Sequence, residues 1–297
     1  MPTIQTRDGT QLYVKTLGEG RPVVLIHGWP LSSDSWDPVM IALAENGYRA
    51  IAYDRRGFGR SDHAASGYDY DTFSDDLAAV MTATEATNDA ALVAFSMGGG
   101  EIARYMSRHA GKGVSQVALV SSVVPYMLKT DDNPNGVDDS VFQQMTEGMK
   151  TDYRHFFTGF LKDVYGVGLL SHPVTEEELR WAWMTAMKAS QYATLQSAAA
   201  FAYTDFRPDL PYFTVPTLVI HGSADATVPI DATGRVVADQ VPGAQFIEYP
   251  GAPHGVFATH TQRLCEDLLR FLSGGEVDNR QEVLDAQTAA LLSTQPL

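Results

Sequence analysis

Three residues that could do chemistry together stand at the ends of apolar runs: a serine, an aspartate and a histidine. In "ALVAFSMGGGEIARY", Ser96 has Ala94 two residues before it and Gly98, Gly99 and Gly100 after it. The text before the serine reads as a strand and the text after it as a helix, with no linker between. A turn that abrupt brings the chain on either side close together, so the positions two before and two after must be small. It lifts the hydroxyl clear of the backbone. It also aims the first amide of the helix, Met97 N–H, at whatever the hydroxyl attacks. Ala94 stands where the usual pattern has glycine, a slight departure. A serine hydroxyl is a weak nucleophile without a base, and the base needs an acid to orient it.

Eight histidines compete for the role of base. His254, in "PGAPHGVF", lies between the last strand and the last helical segment. His27 in "LIHG" and His221 in "VIHG" lead directly into glycine turns and read as loop-shaping groups. His63, His109, His155, His172 and His260 lie in polar or helical text and read as surface groups. For the acid, "HGSADATVP" puts Asp225 just past the strand before His254; Asp231, further on, is the weaker choice. The order Ser96, Asp225, His254 is the nucleophile–acid–histidine order of the α/β-hydrolase arrangement.

The elements that must position these groups alternate. "TIQTRDGTQLYVKTLG" reads as a hairpin turning at Asp8-Gly9. "PVVLIHG", "YRAIAYD", "AALVAF", "QVALVSSVV", "PTLVIHG" and "AQFIEYPG" are short apolar runs suited to buried strands. Helical text separates them, from Ser35 to Asn46, Asp71 to Thr87, after Ser96, and unbroken from Val256 to Leu272. Strand and helix repeated in this way predict an α/β fold, with a mostly parallel sheet and helices on both faces. The alternation lapses between Pro125 and Leu210, where aromatic-rich helical text predicts a helical cap over the C-terminal edge of the sheet, where ligands bind. The expected organisation is a core of residues 1–124 and 211–274, a cap of residues 125–210, and a C-terminal tail of residues 275–297. A docked tail helix would use Leu284, Leu291 and Leu292.

Bulk properties exclude other classes. The chain has 297 residues, 44% of them hydrophobic, enough for a sizeable core. No apolar run reaches the length of a membrane span, and the N-terminus lacks the basic head and apolar stretch of a signal peptide. The single cysteine, Cys265, permits no internal disulfide, reads as a buried structural thiol and fits a reducing, cytoplasmic setting. A formal charge of −15 argues against nucleic acid, anionic membranes and strongly anionic substrates. "RRGFGRSD" could suggest an anion site, but a structural turn with Arg55 or Arg56 paired to nearby acids is the simpler reading.

Beyond these single features, "HGWP", "YDRRGFGRSD", "YDYDTFSDD", "FSMGGGEIARY", "TDFRPDL", "PTLVIHGSAD" and "APHG" together resemble the α/β-hydrolase family of bacterial arylesterases and cofactor-free haloperoxidases, also called perhydrolases. The resemblance runs from about residue 3 to residue 272. It implies an α/β-hydrolase fold and a serine carboxylesterase acting through an acyl-enzyme, with peracid formation as a side activity. It implies a small ester as substrate, hydrogen peroxide as a further acyl acceptor, and neither metal nor organic cofactor. It leaves homo-oligomerisation open. Trp29 and Met97 N–H groups would form the oxyanion hole. Val123, Met127, Phe142, Phe156, Phe160, Thr227 and Ile230 would line the acyl or alcohol pocket. Pro30 constrains Trp29 and would turn its carbonyl toward a bound hydroperoxide; in the resembling family a proline here accompanies the haloperoxidase-like members.

Two other readings compete. A lactamase or lactone hydrolase needs the same triad. A non-catalytic receptor on this fold has no need of one. Epoxide hydrolases share "HGWP" but use an aspartate where this chain has Ser96.

Overall fold

A computed structural model describes residues 3–277. Its centre is an eight-stranded sheet of β1 (Thr3–Gln5), β2 (Gln11–Leu17), β3 (Arg21–Ile26), β4 (Tyr48–Tyr53), β5 (Ala90–Phe95), β6 (Val114–Val120), β7 (Thr217–Gly222) and β8 (Gln245–Tyr249). The spatial order is β1-β2-β4-β3-β5-β6-β7-β8. The β1–β2 hairpin and the β2–β4 pair are antiparallel, and every other pair is parallel. All residues of β5 and β7 are buried, which requires cover on both faces of the sheet and explains why these strands are apolar without alternation.

Between strands lie α1 (Asp37–Glu45), α2 (Tyr70–Ala83), α3 (Gly98–Arg108) and α8 (Gly234–Gln240), and α9 (Val256–Thr259) and α10 (Thr261–Leu272) follow β8. Between β6 and β7 stand α4 (Asp139–Thr151), α5 (Tyr153–Val164), α6 (Glu176–Ala186) and α7 (Gln191–Tyr203), with no strand among them. Each of these four begins on a side chain that accepts a first-turn amide: Asp138, Asp152, Thr175 and Ser190. Such caps satisfy donors that the helix leaves unpaired and mark where each helix starts.

Three local expectations need revision. The segment 256–272 is two helices, because His260 leaves helical geometry (φ −133°). Thr259 Oγ1 and Thr261 Oγ1 bond the carbonyls of Gly255 and Phe257, the local competition that bends or interrupts helices. The strand "QVALVSSVV" stops at Val120, and Ser121 takes a positive φ of 44°. Cys265 is half-buried rather than buried, and burial pushes its thiol above the ordinary value. The tail helix expected on Leu284, Leu291 and Leu292 lies outside the described residues. Among those described, no helix is long and apolar enough to cross a membrane.

The arginines of "RRGFGRSD" are structural. Arg56 forms a two-pronged pair with Asp76 at 2.6 Å and also meets Asp8 at 2.8 Å. Arg55 is buried against Glu101 of α3, and Tyr53 donates to the same carboxylate. Arg55 Nη2 donates to His27 O at 2.8 Å, and Arg55 N–H donates to His27 Nε2 at 3.0 Å. One guanidinium thus joins the end of β3, the end of β4 and the helix behind Ser96. Removing one member of a buried pair leaves the other charge without a partner. Glu101→Ala is therefore expected to lower unfolding free energy by about 3–5 kcal/mol. Guanidinium denaturation of the two proteins measures this, and a loss under about 1 kcal/mol would contradict it.

Candidate active site

Ser96 sits between β5 and α3 with φ +54°, a conformation that costs a non-glycine residue energy and is held by its surroundings. Its N–H donates to Val120 O at 2.9 Å, and its carbonyl accepts from Gly99 and Val123 N–H. The small residues around it are explained by contact. A Cβ on Gly98 would lie 2.8 Å from Ile26 O, and one on Gly99 would lie 1.9 Å from Ser122 Oγ. Ala94 is fully buried and paired in register with Ile26. Gly28, on the loop after β3, passes so close that its Cβ would stand 3.1 Å from Ser96 Cβ.

His254 follows β8, and Asp225 follows β7. His254 Nε2 lies 2.9 Å from Ser96 Oγ, and its Nδ1 lies 2.7 Å from Asp225 Oδ2. Since a carboxylate only accepts, the ring proton belongs on Nδ1, leaving Nε2 to accept from the serine hydroxyl. All three side chains are buried, and the His254 ring packs against Phe95. Asp225 Oδ1 accepts from Thr227 N–H at 2.9 Å and Val228 N–H at 2.8 Å. Burial alone would push the Asp225 carboxyl up. The two facing imidazoles, His254 first and then His221, outweigh burial and hold it well below the ordinary carboxylate range. Asp231 stands apart, paired with Arg235 on the surface.

The serine opens into a cavity of about 670 Å³. Of the expected pocket residues, Val123, Met127, Phe142, Phe156, Phe160 and Thr227 line it, as does the Trp29 side chain. Pro30 and Ile230 are buried but not part of its wall. Met97 is buried and not part of the wall, and among the described hydrogen bonds neither the Met97 nor the Trp29 N–H donates to a protein acceptor. Trp29 is anchored from the other side. Its Nε1 donates to Thr194 O at 3.0 Å, and its ring meets Phe157, Phe160 and Phe201.

The sequence reading overlooked other wall residues, including Met145, Gly159, Asp163, Val167 and Phe201. Gly159 and Asp163 lie three and seven positions past Phe156, on one face of α5, so helical periodicity extended from Phe156 and Phe160 would have found them. His155 is exposed and also borders the cavity. Asp163 is the one carboxylate in the wall, which contains no lysine or arginine. Among the described residues no group of three or more histidine, cysteine or acidic side chains is arranged to hold a metal ion.

Comparison with known proteins agrees with this architecture. The model of the alpha/beta hydrolase fold family matches residues 21–261. The chain is 42% identical over 275 residues to a non-heme chloroperoxidase of Kitasatospora aureofaciens, covering 92% of this chain and 100% of that protein. It is 36% identical over 276 residues to a bifunctional esterase/perhydrolase of Acinetobacter calcoaceticus, covering 92% and 99%. A bromoperoxidase structure from Bacillus anthracis superposes with a TM-score of 0.88 at 40% identity, covering 92% and 99%. With the match running from the third strand past His254, and relatives of this identity aligned along nearly their whole length, the chain belongs to the alpha/beta hydrolase family.

Proposed function

We propose that this protein is a serine carboxylesterase of the arylesterase type, which hydrolyses small esters through an acyl-enzyme and also forms peracids. The observation that carries the reading is the hydrogen-bonded line Ser96–His254–Asp225 at the floor of an apolar cavity. Ser96 Oγ attacks the ester carbonyl while His254 Nε2 takes its proton. Asp225 keeps the imidazole in the required tautomer and stabilises the imidazolium. The Met97 and Trp29 N–H groups receive the oxyanion. His254 returns the proton to the departing alkoxide, leaving the acyl group on Ser96. Water then attacks, losing its proton to His254, and the carboxylic acid departs. Hydrogen peroxide in the place of water gives the peracid. The relatives named as chloroperoxidase, bromoperoxidase and esterase/perhydrolase support this second outcome.

Assays on p-nitrophenyl and aryl esters, lactones, lactams, and acetate with peroxide test the reading. Ser96→Ala and His254→Ala are expected to lower kcat for the esters on the order of 10⁴-fold or more with the fold intact, because the groups act as a unit. Substantial ester hydrolysis by folded Ser96→Ala would overturn the assignment. Preference for lactones or lactams over every ester would move the substrate class while keeping the triad.

Phe142, Phe156 and Phe160 occupy space beside the serine. Acetyl and butyryl esters are therefore expected to turn over faster than dodecanoyl esters, and the reverse order in kcat/KM would contradict the proposed pocket.

Pro30 immediately follows Trp29, the residue assigned to the oxyanion hole. Peroxide has a second hydroxyl to place, and the Trp29 carbonyl is the acceptor proposed for it. Pro30→Leu is expected to keep p-nitrophenyl acetate hydrolysis within about tenfold and to lower the ratio of peracid formation to hydrolysis several-fold, the scale of one neutral hydrogen bond. An unchanged ratio, or equal loss of both activities, leaves Pro30 a structural role alone.

A further inference from the structure

His221 ends β7 and is fully buried four residues before Asp225. Its Nε2 lies 3.0 Å from Val228 O and 3.2 Å from Asp225 Oδ2. Both neighbours are acceptors, so the ring proton resides on Nε2. Nδ1 is buried with no hydrogen-bond partner among the described residues. Gly234 of α8 faces it, so close that a Cβ there would lie 2.7 Å away. A second ring proton at Nδ1 would be a buried donor with nothing to accept it. Val228 is held at both ends, its N–H on Asp225 Oδ1 and its carbonyl on His221. Two hydrogen bonds and the 3.2 Å approach of His221 Nε2 to Asp225 Oδ2 thus surround the back of the carboxylate.

We infer that His221 is a positioning residue of the triad: a neutral donor that holds Asp225 Oδ2 in line with His254 and shares the charge of that oxygen. Its effect on turnover rests on the esterase reading above; its effect on His254 does not. Facing His254 are Asp225, Ser96 and the Phe95 ring. Facing His221 are Asp225 and, from α8, Gly234. A carboxylate oxygen that faces two imidazole nitrogens, His254 Nδ1 at 2.7 Å and His221 Nε2 at 3.2 Å, presents less negative charge to each. Without His221, that charge falls on His254 alone and favours its imidazolium. The carboxylate also gains freedom to rotate away from Nδ1.

The experiment compares full-length wild type, His221→Leu and His221→Gln, the glutamine amide being able to place an N–H near the position of Nε2. Two readouts are the pH profile of kcat/KM for p-nitrophenyl acetate and the protonation of His254 followed by imidazole nitrogen NMR. His221→Leu is expected to move the acid limb and the His254 titration midpoint to higher pH, on the order of half a pH unit, with kcat reduced several-fold. His221→Gln is expected to restore most of both. Equal midpoints in wild type and His221→Leu, or a glutamine variant indistinguishable from the leucine one, would overturn the inference. Should His221→Leu fail to fold, wild type alone decides. His221 must keep a single proton, on Nε2, while that resonance shifts as His254 titrates, and a ring protonated at Nδ1 refutes it. If Ser96→Ala hydrolyses esters normally, the esterase reading fails while the NMR midpoints still judge His221.

Discussion

The ion pair between Arg55 and Glu101 is the contact on which the geometry of the site depends. Both side chains are almost fully removed from water, where an unpaired charge would cost several kcal/mol, so each holds the other in place. Glu101 belongs to α3, the helix whose first turn follows Ser96, while Arg55 also grips the carbonyl of His27 just before the loop of Gly28 and Trp29. The two amides assigned to the oxyanion hole come from these two places. A buried electrostatic contact behind the site thereby sets the separation of groups that never touch one another.

The turn at Ser96 adds a steric constraint to the same region. Ser96 keeps an unfavourable φ because its N–H and carbonyl are tied to Val120, Gly99 and Val123. Gly98 and Gly99 leave no room for a side chain between the turn and its neighbours. Gly28 closes the space from the β3 side, against Phe95 and Ser96. The loop, the turn and the helix are packed directly against one another. That is the rigidity expected of a site that must hold donors in place before charge develops on the substrate.

Trp29 couples this rigid floor to the helices above it. Its backbone belongs to the loop beside the serine, while its indole is clasped by α5 and α7 through three aromatic rings and the Thr194 carbonyl. The pocket wall and the proposed oxyanion hole therefore share one residue. Asp163 is the one charged carboxylate in that wall, and together with the chain's net charge of −15 it disfavours anionic substrates. An apolar ester or a neutral carboxylic acid meets no such opposition.

Local pattern was enough to determine much of this protein. Continuous apolar runs announced β3, β5 and β7, because strands buried on both faces have no polar side to show. The small residues around Ser96 announced the turn, because the steric demand is local. The positions of Asp225 and His254 after successive strands indicated that they would meet at one edge of the sheet. The tertiary structure alone decided what depends on packing rather than on local pattern. His221 looked like a loop-shaping histidine, and its approach to Asp225 requires the fold of the segment between them and the backing of Gly234. Which aromatic residues face the cavity depended on how α5 and α7 rotate against Trp29. Their composition fitted core and pocket equally well, since both bury apolar surface. Even the break at His260 came from threonine hydroxyls competing for carbonyls one turn away, a choice between helix and side-chain bonding that composition leaves undecided until packing is complete.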